Sequence, residues 1–213
     1  MKIFKNTPKK EMHLFFVMAF FQICGLVGIL FVNKEITLSL TPYNLMIATF
    51  CILFVHHENK KIIFFLLIAS IIGFSSEYVG IHYGFPFGEY QYGKMLGYKL
   101  LDVPVIIGIN WFILSISCAG ISGKVFNKPI YRMLCGSSLM IILDMAIEPI
   151  APALDFWEFK GGVAPLQNYL GWFAISFIIQ GIYLKLNINF SSFFSIFIFL
   201  TQIGFFVLLQ FLM

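Results

Sequence analysis

Charge is what this sequence is short of. Its 213 residues include 14 Lys and Arg and 10 Asp and Glu, so that 11% are charged, against about 25% in soluble domains. That shortage excludes a water-exposed surface around a core of this size. It also excludes a disordered chain. A net charge of +4, scattered along the chain, is too small for tracking nucleic-acid phosphates, so no nucleic-acid partner is expected. Cysteine is scarce as well. Cys24, Cys51, Cys118 and Cys135 all lie in apolar runs, and no two make a Cys-x-x-Cys pair. They read as small buried hydrophobes rather than a disulfide or zinc framework. The histidines His13, His56, His57 and His82 lack metal-ligand spacing, and no metal is expected. There is no nucleophile elbow, no phosphate-cradling glycine loop, no dinucleotide fingerprint and no internal repeat.

What the chain does have is hydrocarbon. Hydrophobic residues make up 60% of it and aromatics 18%, with 27 Phe, and its mean hydropathy is +0.90. Seven apolar windows are long enough to cross ~30 Å of hydrocarbon. They lie at about 12–32, 37–55, 62–82, 104–122, 130–150, 169–186 and 190–213. Runs such as 62–68, Ile-Ile-Phe-Phe-Leu-Leu-Ile, do not alternate in polarity as barrel strands do. The expected fold is all-α: a polytopic membrane helix bundle of about seven transmembrane helices, forming a single integral-membrane domain over 1–213. The lysine-rich start, with Lys2, Lys5, Lys9 and Lys10, is followed by an apolar stretch too long for a cleavable signal peptide, so it reads as a retained first span.

Basic residues orient the bundle. With the N-terminus inside, the inner segments hold Lys2, Lys5, Lys9, Lys10, Lys60, Lys61, Lys124, Lys128, Arg132 and Lys185, and the outer loops hold Lys34, Lys94, Lys99 and Lys160. This bias puts the N-terminus in the cytoplasm and the C-terminus outside. Two outer connections, 83–103 and 151–168, are long and rich in Gly, Pro and aromatics. Long, chemically rich loops are where function concentrates. The tyrosines Tyr83, Tyr90, Tyr92 and Tyr98 in the first of them suggest an interfacial aromatic belt.

Most acidic residues fall in loops or at water interfaces. Glu77 and Asp144 do not. Each lies inside an expected span, roughly 8 Å below its outer end at 1.5 Å per residue, and Glu148 follows Asp144 by one turn. Asp144 and Glu148 share a helix face. Two carboxyls so close in a low dielectric do not both ionise, so the pair is expected to hold a proton. Pro149 disfavours helical backbone at Glu148, which is expected to cap or kink its helix. Asn110, Trp111 and Trp172 enter at a similar level from two more spans. Acids within a membrane are costly and usually belong to a site or relay; the plainer reading is a hydrogen-bonded clamp between helices.

Several short motifs occur in order: Glu77-Tyr-Val-Gly80, Gly84-Phe-Pro-Phe-Gly88-Glu-Tyr90-Gln-Tyr92, Leu96-Gly97, Val103-Pro104 and Trp111. Asp144-Met-Ala-Ile-Glu148-Pro149-Ile-Ala151, Phe156-Trp157, Pro165-Leu-Gln-Asn168-Tyr169 and Gly171-Trp172 continue the series. Over about 65–185 this set resembles the integral-membrane carotenoid biosynthesis family, which includes carotenoid 1,2-hydratases of the γ-carotene 1′,2′-hydratase and bisanhydrobacterioruberin hydratase type. The chain departs from the family pattern in two places. Glu148 stands where the pattern Asp-x-x-x-Asp-Pro has its second Asp, and the shorter Gly161-Gly162-Val163 replaces an aromatic Gly-x-Tyr-Tyr-Gly segment.

The resemblance implies a hydro-lyase of the bacterial or archaeal cell membrane. Such an enzyme adds water to the terminal C1–C2 double bond of an acyclic carotenoid, without a cofactor. It also implies contact with membrane lipid and with other carotenoid biosynthesis enzymes. Protonating a trisubstituted alkene gives a tertiary cation, and a carboxylic acid kept neutral by burial can supply the proton. Asp144 and Glu148 are the expected donor and partner, and Glu77 the group that orients or deprotonates water. Asn110 and Asn168 assist it, while Trp111, Trp157, Trp172, Tyr90 and Tyr92 line the substrate site. The rival readings are a carotenoid end-group cyclase, a small proton-coupled transporter, and a non-catalytic scaffold for a pigment complex.

Overall fold

The computed structural model describes residues 9–213; Lys2 and Lys5, counted above toward orientation, lie outside the described residues. The chain is a helical bundle carrying two short two-stranded ribbons. Its first helix, α1 (Lys9–Val27), runs on into a π-helical turn, Gly28–Val32. Gly28 is needed there, because a β-carbon would overlap the Thr37 side chain. Asn33 then leaves the helical region, and its side chain accepts from the backbone N–H of Ile36 to start α2 (Lys34–Ser39). A turn at Leu40 leads into α3 (Thr41–Val55), with Pro42 in its first turn. The second span is therefore two helices rather than the unbroken run expected over 37–55. At 15 residues, α3 is about 22 Å long, short of the ~30 Å hydrocarbon layer.

The remaining helices are α4 (Lys60–Tyr83), α5 (Ile106–Val125), α6 (Pro129–Ile147), α7 (Leu166–Lys185) and α8 (Ser192–Leu212). Among the described residues five helical runs are long and apolar enough to cross a membrane: Lys9–Val32, Lys60–Tyr83, Ile106–Val125, Pro129–Ile147 and Ser192–Leu212. Helix α7 has the length, but Gln167, Asn168 and Gln180 make it less apolar.

Helix α5 is the axis of the bundle. Its apolar window is 78% buried, against 17% for the first span. It packs on α3, α4, α6, α7 and α8. Small residues let the backbones close in: a side chain at Gly108 would meet the Ser70 backbone of α4, and one at Gly73 would meet the Trp111 ring.

The ends of the bundle are distinct. At one, Lys10 and Glu11 of α1 reach His57 and Ser191. At the other, Gln210 near the end of α8 donates to the carbonyl of Ala146. The two long connections, 84–105 and 148–165, lie at this second end and are joined to each other. Strand β1 (Tyr90–Tyr92) pairs antiparallel with a later strand across the other loop, Trp157–Phe159. Between them, β2 (Lys99–Leu100) and β3 (Val103–Pro104) make a second small ribbon; Trp157–Phe159 is β4. Beside the β1–β4 ribbon, the N–H of Gly93 bonds the Phe156 carbonyl at 2.9 Å, and the N–H of Lys94 bonds an Asp155 carboxylate oxygen at 2.9 Å. A β-carbon at Gly93 would overlap the Asp155 backbone, so only glycine lets the loops meet.

Helix α6 stops at Ile147, three residues short of the expected end. Glu148 caps it, as expected, yet keeps helical backbone angles, with its N–H bonded to the Asp144 carbonyl at 2.9 Å. Pro149 has no N–H to continue the ladder.

Candidate active site

The ribbon between the loops explains the aromatic residues of the site. In an antiparallel pair, side chains alternate faces and opposed residues share one. Tyr90 opposes Phe159, and Tyr92 opposes Trp157. All four turn toward the helices, while Gln91 and Glu158, opposed between them, are exposed. The outer rim is tied by an exposed ion pair, Lys160 Nζ to Glu89 Oε2 at 2.6 Å. The Lys160 ammonium holds the Glu89 carboxyl below the usual range, and Glu89 raises Lys160 in return.

Under this aromatic cover sits Glu77 of α4, 4% exposed. Trp111 Nε1, from the first turns of α5, donates to its Oε1 at 3.0 Å. The Tyr92 hydroxyl donates to Oε2 at 2.8 Å, and the Tyr90 hydroxyl donates to the same oxygen. Three donors on two oxygens match an acceptor-only carboxylate. Burial and then the Glu77 charge push both phenols above their ordinary range, so they stay protonated and donating.

The second acidic group comes from the end of α6. Asp144 is 1% exposed. Asn168, in the first turn of α7, reaches both carboxyls: its Nδ2 lies 2.7 Å from Asp144 Oδ2 and 3.4 Å from Glu148 Oε1. Trp157 Nε1 also donates to Glu148 Oε1, at 3.1 Å. The other Asp144 oxygen, Oδ1, is buried and has no hydrogen-bond partner among the described residues. Burial holds the Glu148 carboxyl above the usual carboxylate range, against the opposing pull of the Trp157 hydrogen bond. One turn beyond Asn168, Trp172 stacks on Trp111 with centroids 4.2 Å apart and planes 16° from parallel.

These groups enclose one cavity, lined by Glu77, Tyr90, Tyr92, Asn110, Trp111, Glu148, Trp157, Asn168 and Trp172, with Phe87, Ile107 and Phe159. It leaves about 20 Å³ in which the centre of a water molecule can sit, room for roughly one water. Among the described residues no Lys, Arg or His lines it. Among the described residues no group of three or more His, Cys, Asp or Glu is spaced to hold a metal ion.

Of the ten residues singled out in the sequence, nine line this cavity. Asp144 lies directly behind, bonded through Asn168. Two of the four belt tyrosines do not lie in a belt. Tyr90 and Tyr92 turn inward to Glu77, whereas Tyr83 and Tyr98 are 74% and 77% exposed. Phe87, Ile107 and Phe159 were not foreseen. The alternations Tyr-Gln-Tyr and Trp-Glu-Phe carry the signal for Phe159, since period-two patterning marks a ribbon.

The sequence model of a family described as carotenoid biosynthesis protein matches residues 37–207. A bisanhydrobacterioruberin hydratase from Haloarcula japonica is 31% identical over 117 residues, which is 50% of this chain and 39% of that protein. The chain thus matches less than half the length of that relative. No solved structure matches the chain.

Proposed function

We propose that this chain, which belongs to the carotenoid biosynthesis protein family, is an integral-membrane hydratase. In this reading it adds water to the terminal double bond of an acyclic carotenoid end group, giving a tertiary alcohol. The observation that carries the reading is the convergence of two separate acidic groups on one aromatic-walled cavity of water size. The hydratase among the relatives supports the same reaction class.

Glu148 is the donor, because it faces the cavity and burial favours its neutral form. Asp144 stands behind it, and Asn168 holds the two carboxyls side by side so that they share one proton. The proton moves from Glu148 to C2, the less substituted carbon of the terminal C1–C2 double bond. The π electrons form the new C–H bond, and the neighbouring carbon becomes a tertiary cation. Glu77, held by its three donors on α4, supplies the counter-charge. The faces of Trp111, Trp157 and Trp172 each contribute about 1–2 kcal/mol to a desolvated cation. A water held by Asn110 and Asn168 then attacks, and the oxonium returns its proton to the Glu148 carboxylate. The balance is alkene plus water to alcohol, with the acid regenerated and no cofactor consumed. Donor geometry thus favours Glu77 as a fixed counter-ion over the base expected from sequence.

A cavity of this size does not admit a carotenoid end as it stands. The β1–β4 ribbon, which forms one wall, shifts to let it enter. The basic residues support an N-terminus in the cytoplasm, which puts the cavity near the outer face.

The test is expression in a host that accumulates lycopene or γ-carotene. The expected product is heavier than its precursor by one water. A cyclic product of unchanged mass would replace hydration by cyclisation. A gradient-dependent accumulation of solute in vesicles, with no new pigment, would replace both by transport.

A further inference from the structure

A second, larger cavity lies between the halves of α1, α3 and α8 nearest the acid site. It leaves about 430 Å³ in which the centre of a water molecule can sit, against about 20 Å³ at the acids. Its walls are mainly apolar and, among the described residues, include no charged one. At its rim Phe21, Leu40 and Tyr43 are 37%, 53% and 63% exposed, so in a membrane the mouth faces lipid.

Three amides on three helices face this hydrocarbon-lined space: Gln22 on α1, Asn44 on α3 and Gln202 on α8. None makes a side-chain hydrogen bond to the described protein. Gln202 is only 8% exposed. Gln22 and Asn44 are half-buried. An amide left without a partner in apolar surroundings is costly, and three on one cavity mark a place where something else bonds them. That partner is neutral, since none of the described lining residues is charged, and long, since most of the remaining wall is apolar.

Phe156 closes the cavity toward the acids. It lines this space, its ring is 6.2 Å from that of Trp157, and Trp157 donates to Glu148.

We propose that this cavity binds a neutral long-chain isoprenoid alcohol, its hydroxyl held by Gln202, Asn44 and Gln22. The natural ligand is then the hydrated product leaving the acid site past Phe156, and that identification, unlike the cavity itself, rests on the hydratase reading above.

The experiment titrates the purified full chain in detergent with all-trans-retinol, a fluorescent isoprenoid alcohol, and with retinoic acid as the charged control. Retinol binds saturably, and retinoic acid does not compete. Gly25→Phe fills the space; a β-carbon there meets only the Phe205 ring, at an ordinary 3.6 Å. It abolishes retinol binding. Gln202→Leu weakens binding about three- to tenfold, the loss of one hydrogen bond. Glu148→Gln binds as the parent does. Unchanged binding in both cavity variants overturns the proposal. Loss of binding in Glu148→Gln alone overturns it too, by placing the probe at the acids. Should Gly25→Phe misfold, Gln202→Leu and the retinoic acid control decide. A chain that makes no alcohol yet binds retinol through Gln202 ends the hydratase reading and leaves the cavity assignment standing.

Discussion

At the end of the bundle where α1 begins, Glu11, Ser191 and His56 meet; at the opposite end, Glu77, Asp144 and Glu148 do. Both clusters join elements far apart in sequence through short hydrogen bonds. At the first, the Ser191 hydroxyl donates to Glu11 Oε2 at 2.7 Å, and the Ser191 N–H donates to His56 Nε2 at 3.2 Å. Burial holds the His56 imidazole below its usual range, so that Nε2 is free to accept. Ser191 also caps α8. The hydrogen bonds there tie one helix to another, and the neighbours His57 and Glu58 are exposed to solvent. At the second end, hydrogen bonds hold acids against a cavity and leave Asp144 Oδ1 without a partner among the described residues. The difference between a clamp and a site lies in what the bonds leave over: an enclosed space and an unspent acid.

Substitutions test that distinction. The largest effect is expected at the acid pair. Asp144→Asn and Glu148→Gln together lower product yield about 100-fold or more, the usual worth of a general acid, with the helical circular dichroism retained. An unaltered yield would reduce this end to a clamp like the other. Next is the ribbon. Gln91 and Glu158 oppose one another directly and are exposed. The pair Gln91→Cys and Glu158→Cys, oxidised, locks β1 to β4, lowers turnover about tenfold or more by the cost of withheld loop motion, and recovers with reductant. A third test removes one donor to Glu77. Tyr92→Phe lowers thermal stability by about 1–3 kcal/mol, the cost of leaving a buried acceptor short of a partner. The smallest effect is at the other end: Glu11→Gln costs about 1 kcal/mol or less, read as a small shift in melting temperature, with product yield unchanged.

Acidity sharpens the same contrast. Native Glu148 holds its proton to higher pH than an unfolded chain would, so the native state binds more protons between the two values and stability falls as pH rises through that window. The donor form is lost over the same rise. Activity is therefore expected to fall on the alkaline side, and Glu148→Gln to flatten the pH dependence of stability.

The acids were legible in the sequence because a carboxyl inside an apolar run is costly and stands out. Trp111 and Trp172 were visible at the same level for a similar reason. The donors from the loops were harder to place. Tyr90 and Tyr92 are 13 and 15 residues from Glu77, beyond any helical periodicity, and their inward turn depends on pairing with a strand some 67 residues away. Only the alternation within each strand hinted at it. The break in the second span was marked by Asn33 and Pro42, but a hydropathy window averages over such signals. Gln22, Asn44 and Gln202 give no signal in sequence, because single amides in apolar helices carry no motif; only the fold brings them to one cavity.

Hydration requires a proton to pass from the acid pair to carbon, followed by capture of water. The direct measurement is the mass of the pigment made by the reconstituted protein in heavy water, and separately in water enriched in heavy oxygen. The account predicts one non-exchangeable deuterium on carbon and one heavy oxygen per hydrated end, both abolished in the Asp144→Asn, Glu148→Gln double variant. A pigment that gains neither label, or gains both in the double variant, would contradict it.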